Sequence, residues 1–86
     1  MAEIGLRGDR AVHAVAGDLV ALSHSLHAEP ELAFAEHRSV AKITELLTAY
    51  GFEVTSGVAG LPTAFTAVYG SGDLVVGLCA EYDALP

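Results

Sequence analysis

The chain has 86 residues, below the usual size of an enzyme domain, with 52% hydrophobic and 17% charged residues. That balance excludes a disordered chain, and nine glycines with three prolines exclude a collagen-like repeat. Four basic against eleven acidic residues give a net charge of −7, which repels a phosphate backbone and makes nucleic acid an unsuitable partner.

The first periodic stretch is residues 9–27. Val12, Val15, Leu19, Leu22 and Leu26 recur at spacings of three and four, so they share one face of a helix. Asp9 is the expected N-cap, Gly17 a weak point inside, and Pro30 a boundary near Glu29. A second helix fits residues 35–50, with Val40, Ile43, Leu46, Leu47 and Tyr50 as its stripe. Glu36 suits its positive end, and Gly51 stands where a left-handed C-cap belongs. Arg38 and Lys42 form a like-charge i,i+4 pair, unfavourable unless both face solvent.

Beyond Gly51 the period changes to two. Phe52 and Val54 mark a short strand, residues 56–62 a loop, and residues 63–69 a β-branched and aromatic strand. The GSGD run at 70–73 is expected to turn the chain into a third strand at 74–80, LVVGLCA, whose continuous apolar character predicts burial on both faces. The fold class is therefore α/β, in the order helix, helix, strand, strand, strand, with the last two strands as a hairpin. No internal repeat or linker divides the chain.

At the end of that third strand stand Glu81, Tyr82 and Asp83. Alternation puts Glu81 and Asp83 on one side, with α-carbons about 6 to 7 Å apart. Two such carboxylates suit a divalent metal or a frame that orients metal-binding histidines; an ordinary polar strand exit explains them as well. His24 and His27, three apart on a helix, have the spacing to share a metal but lack a third ligand, and His27 equally suits the negative end of its helix. His13 and His37 read as surface residues. Cys79, inside the apolar run, reads as a buried small hydrophobe, and one cysteine makes no internal disulfide. No phosphate loop or dinucleotide fingerprint occurs. Glu29, Glu31 and Glu36 form an acidic cluster that a solvated loop explains.

LHAEPELAFAEHRS at 26–39 resembles the N-terminal signature of the zinc-dependent amidohydrolases and peptidases related to aminoacylase and carboxypeptidase. GFEV at 51–54 is similar to that family's first strand, and AEYDALP at 80–86 to its metal-approach segment. The three occur in the family's order, and the amidohydrolase branch, which cleaves N-acyl amino acids, aminobenzoyl-glutamate-like compounds and small dipeptides, is the nearest in pattern. The resemblance implies the N-terminal portion of a catalytic domain, residues 1–86, within a mixed-sheet α/β sandwich of the zinc-exopeptidase type. It further implies a separate dimerisation domain and the rest of the catalytic domain elsewhere.

Many relatives carry histidine-x-aspartate where this chain has Glu81, Tyr82 and Asp83. Asp83 then inherits the role of orienting a metal ligand, and Glu81, departing from histidine, a supporting hydrogen-bonding role at most. No metal ligand is assigned within these residues. The expected cofactor is a divalent metal, zinc or else manganese or cobalt, in a full-length protein and none for these 86 residues, which are expected to be inert alone. The implied substrate is a small amide or dipeptide, the implied assembly a homodimer, and the expected location the cytoplasm, with no membrane or nucleic-acid partner. A dipeptidase or carboxypeptidase of the same family, and a small non-enzymatic α/β interaction module, are the competing readings. By itself the 86-residue chain is expected to aggregate or fold only in part.

Overall fold

The computed structural model describes the backbone of residues 2–86 and the side chains of residues 8–86. Two helices precede a two-stranded antiparallel sheet: α1 is Ala2–Ala28, α2 His37–Ala49, β1 Glu53–Ser56 and β2 Phe65–Val68. The unit measures 42 × 30 × 22 Å, and its long dimension matches the roughly 40 Å that a 27-residue helix spans.

Helix α1 begins before the predicted cap: Asp9 lies inside it rather than at its start. The residues ahead of Asp9 include alanine, glutamate, leucine and arginine, which are good helix formers, alongside Gly5 and Gly8, and no proline halts the helix there. Gly17 does not break it either. The helix stops at Ala28, two residues before Pro30, whose ring disfavours helical backbone at the residue ahead of it.

Helix α2 lies against the C-terminal half of α1. The Tyr50 hydroxyl donates to Asp18, and Lys42 Nζ reaches the Ser25 carbonyl at 3.4 Å. Inside α2, Thr44 and Thr48 satisfy their hydroxyls on the carbonyls of Val40 and Thr44, at 2.6 and 2.8 Å. At its end, Gly51 takes the expected left-handed conformation, φ 90°, and its amide donates to Thr48. A side chain at Gly51 would also meet the Tyr69 ring at 3.5 Å, a ring that packs on Phe52 with centroids 5.1 Å apart.

The start of α2 is capped from a distance. Glu36 is the N-cap residue but makes no capping bond with its side chain. Instead Glu31 folds back: its Oε2 accepts from the Arg38 amide at 3.0 Å, and its Oε1 from the Ser39 amide and hydroxyl, both at 2.7 Å. Ser39, only 3% exposed, is one of the two described residues that are buried.

The hairpin differs from the expected one. Strand β1 pairs with β2, in the register Glu53 to Val68 through Ser56 to Phe65, across an eight-residue loop containing a short 3-10 turn, Val58–Gly60. GSGD therefore does not turn one strand into its partner. The expected third strand, 74–80, is absent: the run is irregular and exposed, with Leu74 at 86% and Leu78 at 97%, and Cys79 is exposed rather than buried. A continuous apolar run makes a strand only when a neighbour satisfies its backbone and both faces are covered, and no described element does so.

In consequence no described hydrophobic side chain is fully buried, and the two buried residues, Ser39 and Thr63, are polar. The apolar stripes of both helices are only half covered: Leu22 and Leu26 are half-buried, while Leu19 and Val12 are exposed.

Replacing Ser39 with alanine removes a hydroxyl donor to an ionised carboxylate and should lower the midpoint of urea denaturation. Placing lysine at Val76, inside the exposed apolar run, should raise the soluble fraction of the 86-residue chain in a sedimentation assay; unchanged solubility would show that another surface drives association.

Candidate functional site

Four pieces of chain converge at one end of the fold: the last turn of α1, the loop 29–36, the start of α2, and the segment 81–86. The groove between them encloses about 340 Å³ and is lined by His27, Pro30, Glu31, Ser39, Tyr82 and Asp83 among others. Of the titratable residues singled out in the sequence, the structure brings His27, Glu31 and Asp83 to this groove. Glu81 is exposed and does not line it, nor does His24. His13 and His37 are surface residues, as expected.

Beyond β2, the Tyr69 ring packs on Phe52, and segment 81–86 is tied down by hydrogen bonds. The Ala84 amide donates to the Glu31 carbonyl at 2.7 Å, within a single parallel bridge between Leu32 and Ala84. The Tyr82 hydroxyl donates to the Thr63 carbonyl, and its ring packs near Phe65 at 6.2 Å between centroids. Thr63, 5% exposed, donates its own hydroxyl to Glu36 at 3.0 Å. Glu36, Thr63 and Tyr82 thus join α2, the hairpin and the C-terminal segment.

The acidic cluster is hydrogen-bonded as well as solvated: Glu29 is exposed, while Glu31 and Glu36 are half-buried. Glu29 receives Arg38 at 2.6 Å and Lys42 at 3.0 Å, which also relieves the like-charge pair on α2. The Lys42 hydrogen bond, followed by that of Arg38 and the charges of both, holds the Glu29 carboxyl below its ordinary pKa of 4.5. For Glu31, desolvation pushes upward, yet the Arg38 amide and the Ser39 hydroxyl and amide together outweigh it, and the pKa is lowered. Desolvation, then the charges of Glu36 and Glu31, raise the Tyr82 phenol above 10.0, so it stays protonated as a donor.

These roles of Glu31, Ser39, Thr63 and Tyr82 were not visible as chemistry in the sequence. One signal was present. Helix α2 opens on Glu36 and His37, without serine, threonine, asparagine or aspartate at its cap, so its free amides needed an acceptor from elsewhere.

Among the described residues no group of three or more histidines, cysteines or carboxylates is placed to hold a metal ion. The groove offers His27 and Asp83, and Glu31 already accepts three hydrogen bonds. A catalytic metal needs about three protein ligands, so these residues alone do not fit one. Nor is any described helix long and apolar enough to cross a membrane.

Comparison with known proteins adds two relatives. The chain is 43% identical over 56 residues to a subunit of the p-aminobenzoyl-glutamate hydrolase of Escherichia coli, covering 65% of this chain and 12% of the relative. It is 30% identical over 70 residues to hippurate hydrolase of Campylobacter jejuni, covering 81% of this chain and 18% of that protein. The chain therefore shares partial homology with hydrolases while spanning less than a fifth of their length. No family model matches it, and no solved structure matches it significantly.

The lowered pKa of Glu31 sets a pH dependence. A carboxyl whose folded pKa lies below its unfolded value of 4.5 contributes its full stability above that value and loses it as pH falls through the lower folded pKa. Thermal stability should therefore drop as pH is lowered below about 5, and Glu31→Gln should flatten that slope. Parallel acid melts of the two proteins check it.

Proposed function

We propose that this chain is the N-terminal part of the catalytic domain of a metal-dependent amidohydrolase that cleaves the amide bond of N-acyl amino acids or small dipeptides. The observation that carries the reading is the similarity to two hydrolases, over 65% and 81% of this chain. The names of both relatives denote hydrolysis of an acylated amino acid, and this favours an N-acyl amidohydrolase over a dipeptidase or carboxypeptidase.

In this reading the groove at the end of α1 is one wall of the active site. Asp83 orients a metal-binding group contributed from outside these residues, and Glu81 serves at most as an outlying hydrogen-bond partner. A divalent metal, zinc or else manganese or cobalt, would be held by ligands from outside these residues and would supply polarisation of the amide. What this chain itself supplies is the placement of Asp83. Its backbone is held by the Ala84 amide on one side and by Tyr82 on the other. The exposed apolar run at 74–80 supports the same reading, because such a surface calls for neighbouring structure to cover it. A homodimer in the cytoplasm completes the proposal.

The test starts from the intact mass of the natural product and the reading frame beyond Pro86. A larger product, purified and assayed with N-benzoylglycine and aminobenzoyl-glutamate, should release the free amino acid. Its Asp83→Asn variant should lose about 10- to 100-fold in kcat or in metal content, the usual cost of removing a group that orients a metal ligand. A natural product ending at Pro86, or a full-length enzyme indifferent to the Asp83 change, would sink the proposal.

A further inference from the structure

The segment that carries Asp83 has an unusual mechanical situation. Between Tyr69, whose ring packs on Phe52, and Tyr82, residues 70–81 are all exposed and lie outside regular structure. Among the described residues, none is hydrogen-bonded to the Asp83 side chain. Its place in the groove beside His27 rests on its two neighbours in sequence, Tyr82 and Ala84. The Ala84 anchor is backbone to backbone and indifferent to residue type. The Tyr82 anchor depends on one phenol.

We infer that Tyr82 is a positioning residue, whose hydroxyl bond to the Thr63 carbonyl fixes the segment 81–86 so that Asp83 faces the groove. The inference rests on the functional role given above to Asp83 and adds the device that holds it. Three features support it. The Tyr82 side chain crosses to the hairpin, nineteen residues away in sequence, and is half-buried there while Glu81 and Asp83 on either side are exposed. Its ring packs near Phe65, so ring and hydroxyl are held together. Its acceptor belongs to a buried residue whose hydroxyl is engaged by Glu36, at the cap of α2. Movement of α2 relative to the hairpin would therefore be passed to Asp83 through Thr63 and Tyr82.

The discriminating variant is Tyr82→Phe, which removes the hydroxyl and keeps the ring beside Phe65; far-UV circular dichroism confirms that it folds. In the complete gene product, hydrogen exchange of the Ala84 amide should become about tenfold faster in Tyr82→Phe, the size expected for losing one hydrogen bond that restrains a local opening. In kinetics with N-benzoylglycine, Tyr82→Phe should lower kcat about tenfold with KM changed less than about twofold. In an Asp83→Asn background the same substitution should cost almost nothing more, because a residue acting through Asp83 has nothing left to position. Unchanged exchange at Ala84, or losses that multiply independently in the double variant, would overturn the inference. A complete product that hydrolyses no amide overturns the amidohydrolase reading instead; the exchange measurement then decides whether Tyr82 holds the segment.

Discussion

The Glu31 carboxylate at the start of α2 is the constraint on which the rest of this fold depends. A helix leaves its first amides without partners, and here two of them, with the Ser39 hydroxyl, are met by one side chain from the preceding loop. The negative charge also faces the positive end of the helix, where it is favourable. The same residue accepts the Ala84 amide on its backbone carbonyl, so the cap and the anchor of the C-terminal segment share one residue. Glu29 ties the same loop to α2 through Arg38 and Lys42. The connection between the helices is thereby fixed by polar bonds, with little apolar burial to help.

That reliance on polar bonds follows from where the apolar surface goes. The composition is rich in branched aliphatic residues, yet no described one is fully buried. One pair of short strands offers a face too small to cover two amphipathic helices, and the run 74–80 finds no neighbour among the described residues. A two-stranded sheet is marginal by itself in water. What orders this unit is therefore the bonded frame of Glu29, Glu31, Glu36, Ser39, Thr63 and Tyr82, and the groove with Asp83 sits within that frame.

Much of the local structure was legible because it is written in near neighbours. The i,i+3 and i,i+4 stripes gave both helices, Pro30 their separation, and Gly51 the left-handed residue just past the Tyr50 C-cap of α2, since only a residue without a β-carbon takes a φ of 90° there at low cost. The strand at 65–68 showed its β-branched and aromatic composition. The candidate site was legible only in part. Asp83 and His27 were marked by residue type, and they share a groove; Glu81 was marked by the same reasoning and stands outside it.

Sequence by itself determined that there are two helices, where each of them stops and which carboxylates are available, but not where α1 begins. Tertiary structure decided what each of those carboxylates binds and which strands pair. The hairpin joined β1 to β2 rather than β2 to the apolar run, because strand pairing depends on what lies alongside and not on the character of one segment. Glu36 found Thr63 twenty-seven residues away, and Tyr82 found the carbonyl of the same threonine. Such partners are set by how α2 and the hairpin pack together. No periodicity within either segment encodes that arrangement, and on it rests the placement of Asp83.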